Sequence, residues 1–271
     1  MSGWRMTLKA APALRVDLRR VTPEALAGLS AAEVERVDVG YGNALLPLAE
    51  FFSIEPRDDN DALFFEGDLS RFDRVGWQMS GGRIRVEGNV GHYAGGCMRA
   101  GELLVAGRAG LLAACEMAGG TLTVEGDVDD FAASTLPGSM DGMRGGTFIV
   151  KGHAGARFGD RMRRGSAIVH GNAGDFLASR LVAGTIAVGG RAGVHVGWGM
   201  RRGSVVLAGE AIPELSETLV PALASADVFW QLLARDLARH GGPFASLAGR
   251  RIDRHLGDLS VDGRGEIILA R

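Results

Sequence analysis

Between Met79 and Gly209 the chain repeats one local pattern: a glycine, five residues alternating polar and apolar, then a second glycine. The apolar pairs are Ile84/Val86, Leu103/Val105, Leu122/Val124, Phe148/Val150, Ala167/Val169, Ile186/Val188 and Val205/Leu207. Alternation of period two predicts half-buried strands with these pairs on the inner face. The opening glycines are Gly82, Gly101, Gly120, Gly146, Gly165, Gly184 and Gly203, and each has a closing partner six residues on. Successive copies stand 19 residues apart, except for one step of 26 between the third and fourth. Met79, Met98, Met117, Met143, Met162, Leu181 and Met200 precede the opening glycines by three. Glycine at both ends of a strand admits the positive φ angles at which a chain turns.

A 19-residue unit of this design cannot bury its apolar face alone; stacking the units buries it and pairs each strand with the next. The pattern therefore predicts an all-β dominated fold, a parallel β-helix (solenoid) of about seven 19-residue coils. At about 4.8 Å per coil the rod is roughly 34 Å tall. The methionines read as a stack of core corners, where thioethers fill irregular volume well. A leucine-rich repeat lacks its L-x-x-L-x-L frame here, and a hexapeptide helix would show period six.

The flanks divide the chain into three parts. Residues 1–61 read as an α/β cap or docking region, with a β segment at Leu14–Leu18, a short helix capped by Thr22 with Pro23 at its first position, and a capping box at Ser30 and Glu33. The β-helix spans 62–210 and starts with a degenerate coil at Ala62–Gly67. Residues 211–271 read as a linker, an amphipathic helix over Ala226–His240 with Phe229, Leu232, Leu233 and Leu237 on one face, and a hairpin joining Leu256–Val261 to Glu266–Leu269 through Asp262-Gly263. Both flanks are expected to cap strand edges.

Composition narrows the function. Glycine makes up 42 of 271 residues without a G-X-Y period, which excludes collagen. A net charge of −2 supplies no global field for nucleic acid. Met1–Lys9 carries no apolar run and no stretch of 18 apolar residues exists, so neither a signal peptide nor a membrane span is expected. Cys97 and Cys115 have no metal-type spacing and read as reduced thiols of a cytoplasmic protein.

The frame M-x-x-G-x-[I/L]-x-V-x-G-x-A-G, as in Met143-Arg-Gly-Gly-Thr-Phe-Ile-Val-Lys-Gly-His-Ala-Gly155, resembles the C subunit of formylmethanofuran dehydrogenase. It is similar also to its counterpart in the formyltransferase/hydrolase complex of methylotrophic bacteria, and to the C-terminal domain of the glutamate synthase large subunit. The resemblance covers Met79–Gly209. It implies a right-handed β-helix that scaffolds the other subunits of a hetero-oligomer and carries neither catalytic residues nor metal. It further implies a complex using methylofuran or methanofuran and tetrahydromethanopterin, none of them bound by this chain alone, and yielding formate. The Arg-rich composition favours the bacterial version over a molybdenum or tungsten dehydrogenase. A free-standing glutamate-synthase-type domain and a β-helix carbohydrate-active enzyme are the other readings.

The residues themselves carry little catalytic signal. The histidines have no H-x-x-x-H spacing, and no G-x-S-x-G or phosphate-binding loop occurs. Three features stand out. Arg99, Arg144, Arg163, Arg164, Arg201 and Arg202 follow the ladder methionines by one or two and are expected to gather on one edge. Such an edge wants carboxylates, from a protein surface or, as the resemblance implies, from a coenzyme with a polyglutamate tail. The excess between Gly126 and Met143, with Asp127, Asp129, Asp130, Phe131 and Asp141, reads as a docking loop. Lastly, Leu104, Ile149, Ile168, Ala187 and Val206 share an outer strand phase and are expected to form an apolar stripe that a partner covers.

Overall fold

The computed structural model describes residues 3–58, 62–211 and 213–271. The boundary expected at residue 61 lies outside them. The N-terminal segment supplies β1 (Gly3–Leu8), β2 (Val16–Asp17), α1 (Pro23–Leu26), α2 (Ala31–Glu35), β3 (Asp38–Tyr41), β4 (Ala44–Pro47), β5 (Phe52–Arg57), β6 (Ala62–Glu66) and β7 (Phe72–Asp73). Both helix starts follow from their caps: Thr22 Oγ1 accepts from Ala25 N, and the Ser30/Glu33 capping box is closed. The repeats supply β8 (Ser80–Glu87), β9 (Ala100–Val105), β10 (Thr121–Val124), β11 (Thr147–Val150), β12 (Ser166–Val169), β13 (Thr185–Val188) and β14 (Ser204–Leu207). The C-terminal segment adds β15 (Val220–Pro221), α3 (Asp227–Ala238), β16 (Ile252–Gly257) and β17 (Gly265–Ala270).

Successive units touch along three lines. β6 and β8 to β14 pair in parallel, each with the next, with the inner residues in register: Leu103 with Leu122, Leu122 with Phe148, Phe148 with Ala167. A second line is a chain of parallel single bridges, Leu69–Val90–Ala109–Val128–Ala154–Ala173–Ala192. The third runs past the ladder methionines. All seven ladder residues are fully buried, and the residue after each later one donates its N–H to the previous ladder carbonyl, as Arg163 does to Met143 at 2.8 Å. The inner strand residues lie in the same core.

Glycine is required where the units come closest. A Cβ on Gly146, at φ +82°, would stand 2.7 Å from the Gly120 carbonyl oxygen. One corner departs from expectation by using other residues at positive φ. Arg74, Tyr93, Leu112, Phe131, Arg157, Phe176 and His195 occupy one phase, all with φ between 57° and 64°. The N–H groups of the first six bond the next unit, Tyr93 to Leu111 O and Phe176 to Val194 O at 2.8 Å each, which offsets the strained backbone.

The C-terminal segment differs from its expected form in three ways. The hairpin exists, but its first arm is Ile252–Gly257, and a short 3₁₀ turn at Leu259–Val261 precedes the left-handed Asp262. Its second arm, β17, pairs in parallel with β14, Val205 opposite Ile267 and Leu207 opposite Leu269. The segment therefore closes the repeat sheet with an eighth strand of repeat type. Finally, α3 buries Trp230, Ala234 and Leu237, while Phe229 and Leu232 face out at 41% and 64% exposure. The i, i+4, i+7 stripe seats the largest apolar side chain inward, and the small Ala234 lets the helix approach the strands.

That packing encloses Ile168, Ala187, Val206, Ile268, Phe244 and Leu247 in a second core. At its edge His170 meets the Phe244 ring edge-on, with Lys151 Nζ 3.2 Å from its Nε2. Burial, then the charges of Lys151 and His240, push the His170 imidazole down to about 4. The folded protein thus keeps His170 neutral where the unfolded chain protonates. Stability held above pH 6.5 is expected to fall as the pH drops from 6.5 toward 4. His170→Gln should melt with a shallower pH dependence over that window, and identical profiles for the two proteins would contradict the assignment.

Candidate functional site

The ladder methionine points into the core, so the one or two residues after it emerge on the surface. On four of the seven units one or both are arginine, and the structure brings five of the six expected arginines together. Arg144, Arg163, Arg164, Arg201 and Arg202 line a cleft of about 560 Å³ floored by Val182 and Ala183. The sixth unit has Val182 and Ala183 at these two positions, and their small side chains leave the hollow between the neighbouring arginines. Arg99 stands apart, because Ala118 interrupts the row on the third unit.

The charges in the cleft are unequally compensated. Glu116, 8% exposed, holds Arg144 at 2.8 Å and accepts the Leu136 N–H at 3.3 Å with its other oxygen. Arg163 Nε lies 3.1 Å from Asp141. Among the described residues Arg164, Arg201 and Arg202 make no ion pair. Parallel strands lie about 4.8 Å apart, where like charges repel by roughly 1 kcal/mol in water. The free end of the cleft therefore gathers uncompensated positive charge, and a planar guanidinium fork has the geometry to pair with a carboxylate or a phosphate.

Arg264 extends the row and was missed from the sequence. It is exposed, and its N–H donates to Arg201 O at 2.6 Å. The signal was present: Arg264-Gly265-Glu266-Ile267-Ile268-Leu269 restates Arg202-Gly203-Ser204-Val205-Val206-Leu207.

The expected docking loop is mostly not a loop. Asp127 Oδ1 accepts from His153 N at 2.8 Å and Asp130 Oδ1 from Ala156 N at 2.7 Å. Asn89, His92, His153, Asn172 and Asp175 do the same between other units. These side chains satisfy corner N–H groups, which also gives His92 and His153 a structural task. Asp129 lies 3.6 Å from Arg108. Phe131 stands over Arg157, which Phe176 covers from the other side. The extra residues are 135–141 instead: Glu116 N bonds Ser134 O as Cys97 N bonds Cys115 O, and regular spacing resumes at Gly142. Of the named set only Asp141 belongs to the insertion.

The apolar stripe is also revised. Ile168, Ala187 and Val206 are fully buried beneath α3, so the chain itself covers that half. Leu104 and Ile149 remain half-buried on the open part of the face. Cys97 is half-buried and Cys115 buried, and burial raises both thiols above the ordinary thiol range, which favours their protonated form. Among the described residues no group of three His, Cys, Asp or Glu is placed to hold a metal, and no helix is long and apolar enough to cross a membrane.

No protein-family profile matches the chain. Over 77 residues it is 48% identical to the C subunit of the formyltransferase/hydrolase complex of Methylorubrum extorquens, a stretch covering 28% of this chain and 29% of that relative. Over 99 residues it is 32% identical to the C subunit of a tungsten-containing formylmethanofuran dehydrogenase of Methanothermobacter marburgensis, 35% of this chain and 37% of the relative. The matches thus span about a third of the length of these curated relatives. A solved structure extends the likeness to the whole chain. In the crystal structure of the Methylorubrum extorquens formyltransferase/hydrolase complex with methylofuran, one chain superposes with a TM-score of 0.91 at 40% identity. That match covers 98% of this chain and 99% of the other.

Proposed function

The chain belongs to the C-subunit family of formyltransferase/hydrolase complexes, and from that membership we propose that it serves as the non-catalytic scaffold of such a complex. The complex moves formyl units between tetrahydromethanopterin and a furan coenzyme, methylofuran or methanofuran, and releases formate in the cytoplasm. The observation that carries this reading is the full-length structural match at 40% identity. The second reading, the C subunit of a molybdenum or tungsten formylmethanofuran dehydrogenase, draws on the 32% identity over 99 residues.

The architecture we infer is a right-handed parallel β-helix. The in-register parallel strands and the three lines of contact at 19-residue spacing support it. In this reading residues 1–61 cap one end and 211–271 the other, and the open face around Leu104 and Ile149 meets another subunit. The arginine cleft takes carboxylates, either from an acidic surface of a partner or from the glutamate tail of the coenzyme. The chain binds no cofactor by itself.

The test is isolation of the tagged chain from its native host at native expression. Co-elution with larger subunits in constant ratio, free of molybdenum and tungsten, is the expected result. Stoichiometric tungsten or molybdenum in the eluate would favour the second reading. A chain that elutes alone at every salt concentration would remove the scaffold reading.

A further inference from the structure

The seven inserted residues lie beside the arginine cleft: Ser139 N donates to Leu136 O within the insertion, and the side-chain contacts to the rest of the chain go to Glu116, Arg161 and Arg163. Leu136 N reaches Glu116, the same carboxylate that holds Arg144. Arg161 Nη1 lies 3.2 Å from Met140 Sδ, and Asp141 pairs with Arg163. The two neutralised arginines differ in kind. The Glu116 side chain is only 10% exposed, so its pair with Arg144 is part of the fold. The Asp141 and Arg163 side chains are 34% and 49% exposed, so water or another anion can reach that pair. An open pair of this type is weak and exchangeable. Beyond it lie Arg164, Arg201 and Arg202, which have no carboxylate among the described residues.

From this gradient we infer that the insertion is a built-in competitor, in which the Asp141 carboxylate occupies Arg163 until a ligand bearing several carboxylates displaces it. The inference rests on the reading of the cleft as an acidic-ligand site. A ligand with one carboxylate is satisfied at the free arginines and leaves Asp141 in place. A longer one anchors there first, which raises the local concentration of its next carboxylate beside Arg163. The insertion thereby makes the cleft discriminate by length.

The experiment uses the full-length chain with fluorescein-labelled hexaglutamate at low salt, read by fluorescence anisotropy, with N-acetylglutamate as the short competitor. Wild type should bind the hexamer, and Arg164→Ala with Arg202→Ala should abolish most of that binding. Asp141→Asn should tighten it by about two- to five-fold, the range an exposed ion pair supplies, and leave competition by N-acetylglutamate unchanged. In an Arg163→Ala background, Asp141→Asn should have no effect. Equal tightening in both backgrounds would show a long-range charge effect and overturn the competitor role, as would unchanged affinity in Asp141→Asn. Asp141→Ser repeats the measurement with a different side chain, and melting curves confirm that each variant is folded. Wild-type protein that ignores hexaglutamate, with the double arginine variant indistinguishable from it, would overturn the reading of the cleft itself.

Discussion

Val150→Asp is expected to lower the melting temperature by about 10 °C, while Thr147→Asp three residues earlier changes it little. Val150 is fully buried and stands in register between Val124 and Val169. The carboxylate would enter a core whose neighbours on both sides are valine, with no donor to receive it. Losing the side chain and stranding a charge costs about 3–5 kcal/mol, and in a chain this long each kcal/mol moves the midpoint by about 2–4 °C. Thr147 lies on the opposite face of the same strand and is half-exposed, so a carboxylate there keeps its water. Each unit touches only its two neighbours, so a defect in β11 should part the stack there. Hydrogen exchange should rise first in β10, β11 and β12. Equal melting of the two variants would show that the alternation does not sort inside from outside.

The inward and outward faces were legible because they are a strictly local property. Glycine, methionine and alternating strand residues recur at fixed phase, and each copy repeats the same reason for its conformation. What the repeat could not reveal is what arrives from outside it. The burial of Ile168, Ala187 and Val206 depends on Trp230 and Ala234, more than twenty residues beyond the last repeat. Nothing in the stripe itself says whether a partner or its own chain covers it. The buried face of α3 differs from the one its sequence predicts for a similar reason. Phe229, Leu232 and Trp230 are all apolar, so periodicity allows more than one buried stripe, and the shape of the receiving sheet decides. The insertion shows in the sequence as a length excess, but Asp127 and Asp130 within that stretch belong to the regular corner. Length arithmetic counts the extra residues but cannot place them; the hydrogen-bond phase does. Five of six arginines converge because register is inherited from the strands, and Arg99 is lost to a single alanine.

A chain ending after Arg251 is expected to self-associate. β17 is the outer neighbour of β14, and removing it frees the N–H and C=O groups of Ser204–Leu207 along one edge. An unpaired edge of apolar, β-branched residues is a template for a second chain. The same cut removes Ile268 and Ala270 from the second core and the Ala270 carbonyl that Arg250 Nη2 holds at 2.6 Å. Trp230 and Leu237 then lose part of the surface against which α3 packs. Glu266→Gln is the milder comparison. It keeps the strand while weakening the contacts of Glu266 to Ser204 at 2.6 Å and Arg254 at 2.9 Å, a pair whose side chains are under 20% exposed. Light scattering on a sizing column should find the truncated chain in larger species that grow with concentration. Glu266→Gln should elute as the full-length protein does, with a lower melting temperature. The order of the two effects carries the argument, since the truncation opens an edge and the substitution only loosens one. A truncated chain that elutes and melts like the full-length protein would mean that β17 does not close the sheet.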